Sequence, residues 1–228
     1  MKEKKESKKL LEKDPCSIVL QDEGTIFEIF SLFQKANPEP KTELLAPNAF
    51  TLLVSVVLSA QATDRSVNKA TEALYKKVQT PEAMLALGEE GLKEHIKTIG
   101  LYRVKAGYVI RLSKILVDEF QSKVPLNRED LESLPGVGRK TASVILNVLA
   151  GEATMPVDTH LLRISPRIGL SDGKTPLQVE KDLLERIPKE FLQHAHHWLI
   201  LHGRYVCIAR NPKCESCLIS HLCKKNCL

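Results

Sequence analysis

Apolar residues recur along the chain at helical spacing in one segment after another. Ile26, Ile29, Phe30 and Phe33 fall three or four apart, as do Phe50, Leu53, Val54, Val57 and Leu58, a spacing that gathers side chains on one face of an α-helix. Val67, Ala70, Thr71, Leu74 and Tyr75 repeat the pattern, and Val104, Tyr108, Leu112, Ile115, Leu116 and Phe120 predict a longer helix. Start signals agree with these faces. Thr25 with Glu28 reads as a capping box and Thr63 as a cap. Thr80-Pro81 and Thr175-Pro176 each set a capping hydroxyl before a proline, the second reinforced by Gln178. No run alternates apolar and polar residues as a half-buried strand does, and Asp172-Gly173 separates no strand-like segments. The pattern predicts an all-α protein without internal repeats.

Composition narrows the class. The chain has 228 residues, 43% apolar and 27% charged, enough for one or two packed cores and unlike disordered, collagenous or disulfide-stapled proteins. Its longest largely apolar stretch, Phe50 to Ala60, contains Thr51, Ser55 and Ser59 and falls well short of the roughly 20 residues that cross a bilayer. No membrane span is expected. The opening MKEKKESKKLLEKD leads into no apolar segment, so it is not a secretory signal and a cytoplasmic location is expected. Residues 1–22 carry six Lys and five acids and predict a flexible basic tail. Lys and Arg exceed Asp and Glu by 33 to 28; from Arg204 to Leu228 five bases face the single acid Glu215. That cluster is either a polyanion contact or a solvated basic end.

Asn127 caps a short helix reaching Ser133. Leu134-Pro135-Gly136-Val137-Gly138 then turns the chain into a second helix, Arg139 to Ala150, with Ala142, Ile145, Leu146 and Leu149 on one face. The two glycines permit positive φ and leave backbone amides open to an anion such as a DNA phosphate; a plain αα-corner would use the same residues. Gly138-Arg-Lys-Thr is not a P-loop, because Ser133 stands where its earlier glycine is needed. Lys140 opens the second helix beside Arg139 and the positive helix end, which both disfavour an ammonium. An ordinary lysine, with pKa about 10.4, is neutral in only about one molecule per thousand near neutral pH, and equalising the two forms takes roughly 4 kcal/mol. An amine nucleophile at Lys140 would need help from its surroundings, whereas a solvated or phosphate-binding lysine needs none.

Cys207, Cys214, Cys217 and Cys223 are spaced Cys-x6-Cys-x2-Cys-x5-Cys. In a cytoplasmic chain four such thiols indicate a metal site, and spacing alone leaves both zinc and a [4Fe-4S] cluster open. Cys16 and Cys227 fall outside it and are expected as free thiols. His194, His196, His197 and His202 are read as helix-packing or solvent-facing residues.

The run from Leu134 through Lys140 to Ala142, followed by Val157-Asp158-Thr159-His160, resembles the helix-hairpin-helix DNA glycosylases of the endonuclease III family. The resemblance extends through Leu58 to Asp64, Ile96 to Tyr102 and His197 to Tyr205, and covers the chain from about residue 23 onward. It implies a two-lobed all-α fold: a six-helix domain at 42–152 ending in the hairpin, and a second domain from 23–41 plus 153–228 carrying a C-terminal [4Fe-4S] loop held by the four spaced cysteines. It implies that Lys140 is the nucleophile and Asp158 the catalytic carboxylate, which could also cap the helix that follows it. Gln61 would fill the vacated base stack and Leu101 wedge the opposite strand. Leu134, Gly136, Val137, Gly138, Arg139, Arg210 and Lys213 would contact DNA, the last two fixed against the phosphate backbone by the cluster. The implied activity is excision of oxidised or ring-damaged pyrimidines from duplex DNA through a lysine Schiff base, with β-elimination at the abasic site, by a monomer acting on the bacterial nucleoid.

Two departures stand out. Ser143 and Pro166 occupy positions where relatives carry Asn, and Pro166 predicts a kink in the helix after Asp158. An adenine-specific mismatch glycosylase shares the hairpin, the Asp and the cluster, but characteristically lacks the lysine and extends through another C-terminal domain. A noncatalytic helix-hairpin-helix module with a zinc clip is the remaining alternative.

Overall fold

Most helix starts in this chain are set by side chains that satisfy backbone amides left free in the first turn. The computed structural model describes residues 17–228, and among them ten α-helices occur and no strand. These are α1 (Glu23–Ala36), α2 (Ala49–Ser59), α3 (Asp64–Tyr75), α4 (Pro81–Ile96), α5 (Tyr102–Glu119), α6 (Arg128–Ser133), α7 (Arg139–Ile145), α8 (Thr159–Ile168), α9 (Pro176–Arg186) and α10 (Lys189–Tyr205). Thr63, Thr80 and Asn127 cap α3, α4 and α6, and Thr175 with Gln178 forms a reciprocal box at α9. Asn48 and Thr51 form another at α2.

Several expected features shift. Asp22, not Thr25, caps α1: its carboxylate accepts from the Thr25 amide at 2.9 Å and also profits from the positive helix end. In α5 the buried face carries Lys105, Ala106, Val109, Leu112 and Leu116, while Val104 is 51% exposed. Lys105 can lie inward because its amine donates to the Leu58 carbonyl at 2.9 Å. Gly88, at φ 73°, breaks α4 internally. The second hairpin helix stops at Ile145 and passes into a π-turn, Leu146–Ala150. α8 continues past Pro166 to Ile168 without a break, although the proline lacks the N–H that would bond the Leu162 carbonyl.

Two apolar clusters organise these helices. One gathers side chains from Leu44 through Leu146, supplied by α2 to α7 and their connections. The other joins Ile26, Ile29, Phe30 and Phe33 of α1 to Met155 through Ile219. Aromatic contacts explain why α1 leaves its sequence neighbours: Phe30 meets Phe33, Phe191 and Trp198 at centroid distances of 5.9 to 6.3 Å, and the Trp198 indole donates to the Asn37 carbonyl at 2.8 Å. Burying each large apolar side chain contributes about 1.5–3 kcal/mol, and α1 has four to bury. No helix among the described residues is long and apolar enough to cross a membrane.

The tail expected over residues 1–22 is corrected where it is described. Gln21 is buried; its amide donates to the Ile168 and Leu222 carbonyls at 2.9 and 2.6 Å, and its backbone N–H donates to the Gly169 carbonyl at 2.8 Å. Asn226 bonds Val19 in both directions, at 3.3 and 2.8 Å. The segment is ordered by polar ties to the loop ends of the second cluster rather than by apolar burial, which is why its composition suggested a tail. At this same C-terminal tip Cys227 is disulfide-bonded, correcting the free thiol expected there. Spacing along the chain gave no sign that the tip folds back. Cys16 and the remaining Lys-rich segment lie outside the described residues.

Gln21→Ala removes the side-chain hydrogen bonds to the Ile168 and Leu222 carbonyls, each worth about 0.5–1.5 kcal/mol, and leaves a cavity at a buried position. A chemical denaturation midpoint clearly below that of the parent is expected, with little change for Leu20→Ala, whose side chain is partly exposed.

Candidate active site and cysteine loop

A cleft of about 990 Å³ runs between the two clusters, lined from the first by residues of the α2–α3 turn, α3 and α7, and from the second by the start of α8 and one face of α10. Lys140 and Asp158 both line it. Lys140 stands in the first turn of α7, solvent-exposed toward the cleft, yet its amine lies among the protein atoms of the walls. That desolvation lowers its pKa below the usual lysine value. The negative charges of Asp158 and Asp64 oppose the shift and the positive charge of Arg204 adds to it. Asp158 is the N-cap of α8: one carboxylate oxygen accepts from the His160 and Leu161 amides, each at 2.8 Å. Capping through a single oxygen leaves the other free for chemistry, so the two roles weighed for Asp158 are compatible in one side chain.

Beneath them lies His196 on α10, 4% exposed, its Nδ1 without a hydrogen-bond partner among the described residues. Burial holds its pKa well below the usual imidazole range, with further lowering from His197, Lys140 and Arg204. The ring is therefore neutral, and the cleft floor carries no cation there.

Gln61 also lines the cleft; Leu101 lies outside it. Both are exposed and both adopt the left-handed backbone conformation, at φ 55° and 60°, uncommon for residues other than glycine. Leu101 is 61% exposed, and the adjoining exposed Val104 extends its apolar surface. Sequence periodicity hid Val104 by assigning it to the buried face. In the hairpin, Gly136 adopts φ 81°, and a side chain there would meet the Tyr108 ring at 3.0 Å. Gly138 is extended rather than left-handed, with open space where a Cβ would be. Leu134 and Val137 are buried in the first cluster, so only their backbones can face a ligand. Arg139 is paired with Glu180 of α9, at 3.0 and 3.2 Å, tying the hairpin to the second cluster. Arg210 and Lys213 are exposed on the loop between Cys207 and Cys214 and do not line the cleft. Ser143 is buried and bonds the Arg128 guanidinium at 3.1 Å. The residues that sequence reasoning missed are Glu43, Asp64 and Arg204, which meet in the cleft; partners 140 and 161 residues apart leave no local signal.

Cys207, Cys214, Cys217 and Cys223 are free of disulfides. Burial, foremost, pushes the Cys217 and Cys223 thiols up, and neighbouring sulfurs of the set add to it, as expected of four thiols sharing one site. Four soft sulfur donors acting on one another in this way fit an iron–sulfur cluster. Arg167 secures the loop, donating to the Ile208 and Ala209 carbonyls at 2.9 and 3.2 Å, with Cys207 Sγ at 3.9 Å.

Residues 54–189 match the model of the HhH-GPD superfamily of base excision DNA repair proteins, and residues 207–223 match the iron-sulfur binding domain of endonuclease III. The chain is 56% identical to Endonuclease III of Treponema pallidum, over 91% of this chain and 98% of that one. It is 57% identical to Endonuclease III of Rickettsia conorii, over 86% and 93%. Among solved structures it resembles a trapped endonuclease III–DNA covalent intermediate with a TM-score of 0.82 at 42% identity, covering 90% of this chain and 97% of that one. The chain belongs to the endonuclease III family. It is a DNA glycosylase with abasic-site lyase activity, DNA is its partner, and its cofactor is a [4Fe-4S] cluster.

Aerobically purified protein is expected to be yellow-brown, with about four irons and four sulfides per chain. Cys214→Ser is expected to lose most of that visible absorption. Colourless protein holding stoichiometric zinc would contradict the assignment.

Proposed function

We propose that Lys140 is the nucleophile and Asp158 its acid–base partner in the removal of oxidised or ring-damaged pyrimidines. A stacked base is out of reach, so the nucleotide must first turn out of the duplex, at a cost of a few kcal/mol that is smaller for a poorly stacking lesion. The neutral Lys140 amine then attacks C1′, the C1′–N bond breaks, and the damaged base leaves with the bonding pair. Asp158 accepts the proton lost by the attacking amine and balances positive charge on the sugar. Ring opening gives a Schiff base, and loss of a proton from C2′ expels the 3′ phosphate. Gln61 enters the vacated stack and Leu101 wedges the opposite strand. The open amides of the hairpin, at Gly136, Gly138 and Arg139, approach one phosphate, while Leu134 and Val137 shape the turn through the bond from the Val137 amide to the Leu134 carbonyl, and Arg210 and Lys213 approach another.

The observation that carries this reading is the meeting of Lys140 and Asp158 in one cleft with the amine acidified by its walls. Left-handed backbone at both Gln61 and Leu101 supports their insertion, since such strain is characteristic of functional positions. Arg139 reaches DNA through its backbone, or by exchanging Glu180 for phosphate. Cys207, Cys214, Cys217 and Cys223 hold the cluster, whose part is to fix the 207–223 loop against the backbone. The two apolar clusters correspond to domains at 42–152 and at 23–41 with 153–228. The protein works as a monomer in a bacterial cytoplasm, on the nucleoid.

Borohydride is expected to trap a covalent complex with abasic-site duplex for the parent protein and none for Lys140→Gln. Asp158→Asn keeps the helix cap, so its thermal midpoint stays near the parent's while excision falls by about a hundredfold or more, as loss of a general base predicts. Asp158→Ala also loses the cap, about 1 kcal/mol of stability. Trapping that survives Lys140→Gln would refute the nucleophile.

A further inference from the structure

α10 reaches from the second cluster to the cleft and there grips the first. Arg204 Nη1 donates to Asp64 Oδ2 at 2.5 Å and pairs as well with Glu43, whose other oxygen accepts from the Tyr205 hydroxyl. Asp64 opens α3, three residues after Gln61, and Glu43 lies in the segment before α2. The Arg204 and Asp64 side chains retain only 24% and 17% of their exposure, so this pair is less screened than a surface one. All three residues line the cleft with Lys140. The groups that face the amine are Asp158 from the start of α8, Asp64 from α3, and Arg204 and the neutral His196 from α10.

We propose that Arg204 is a positioning residue: held by Glu43, it binds Asp64, withholds that carboxylate from the Lys140 amine and leaves Asp158 as the carboxylate that serves it. The proposal rests on Lys140 being the nucleophile. Asp64 favours the ammonium and Arg204 disfavours it, so while the two are paired their effects offset. Remove the guanidinium, and unpaired negative charge faces the amine, which then keeps its proton to higher pH. The reactive neutral form appears later in a titration, and the acid limb of the reaction moves in the alkaline direction.

The test is the single-turnover rate of borohydride-trapped adduct on abasic-site duplex, measured against pH with the full cluster-loaded chain. For Arg204→Gln the midpoint is expected to move up by about one pH unit, a roughly tenfold slower reaction below the midpoint, with the rate recovered in alkali. Asp64→Asn alone is expected to move it down, and the double variant to return it toward the parent. A purely structural role would depress the rate at every pH and leave the midpoint in place, which would overturn the proposal. If Arg204→Gln does not fold, an unmoved midpoint in Asp64→Asn overturns it equally. Trapping retained in a Lys140→Gln control would instead remove the nucleophile, so the two failures are distinct.

Discussion

In the proposed reaction the Lys140 amine can attack a sugar carbon only while it lacks a proton, and this condition bears on the arrangement of charge around it. Desolvation by the cleft walls is the principal force acting in that direction. A carboxylate must nevertheless be close by to accept the proton, and every carboxylate nearby stabilises the ammonium. The molecule meets both demands by dividing the labour. Asp158 keeps one oxygen on the amides of α8, which moderates its charge and fixes its place. Asp64 is bound to Arg204, and the imidazole of His196 is buried in its neutral form.

The fold exists to hold that cleft open between two separately packed clusters. Its walls come from elements distant in sequence, and their relative placement depends on pairs that cross the gap: Arg139 with Glu180 on one side, and Arg204 with Asp64 and Glu43 on the other. α1 stabilises the second cluster from its far end through the aromatic group around Phe30 and Trp198. The segment before it is drawn to the end of the chain by Gln21 and Asn226. The cysteine loop is thus anchored at its base by Arg167 and at its end by the N-terminal segment, which leaves Arg210 and Lys213 presented on a fixed loop.

Much of this was legible in the chain because much of it is local. Caps such as Thr63, Thr80 and Thr175 act within three residues, and the faces of α1 and α3 follow from helical period, so pattern alone located them; α2 is buried all round from Phe50 to Leu58, beyond the one face its period predicts. The hairpin, Lys140, Asp158 and the four cysteines were legible as motifs, and the meeting of Lys140 with Asp158 in one cleft required the fold. Asp22 displaced Thr25 because two competing caps within one turn differ by less than pattern can resolve. Val104 escaped because Lys105, a charged residue, took the inward position through a hydrogen bond to Leu58. Arg139, Arg204 and Gln21 were opaque for a common reason: each finds its partner across the tertiary structure, and sequence composition carries no information on such pairings.

The most direct measurement is an NMR titration of the Lys140 amine in the free protein, with isotope-labelled lysine and assignment by Lys140→Gln. The account predicts a midpoint below the ordinary value of about 10.4 and below those of the chain's solvated lysines. A midpoint at or above those lysines would mean that the cleft favours the ammonium, and the nucleophile would have to be sought elsewhere.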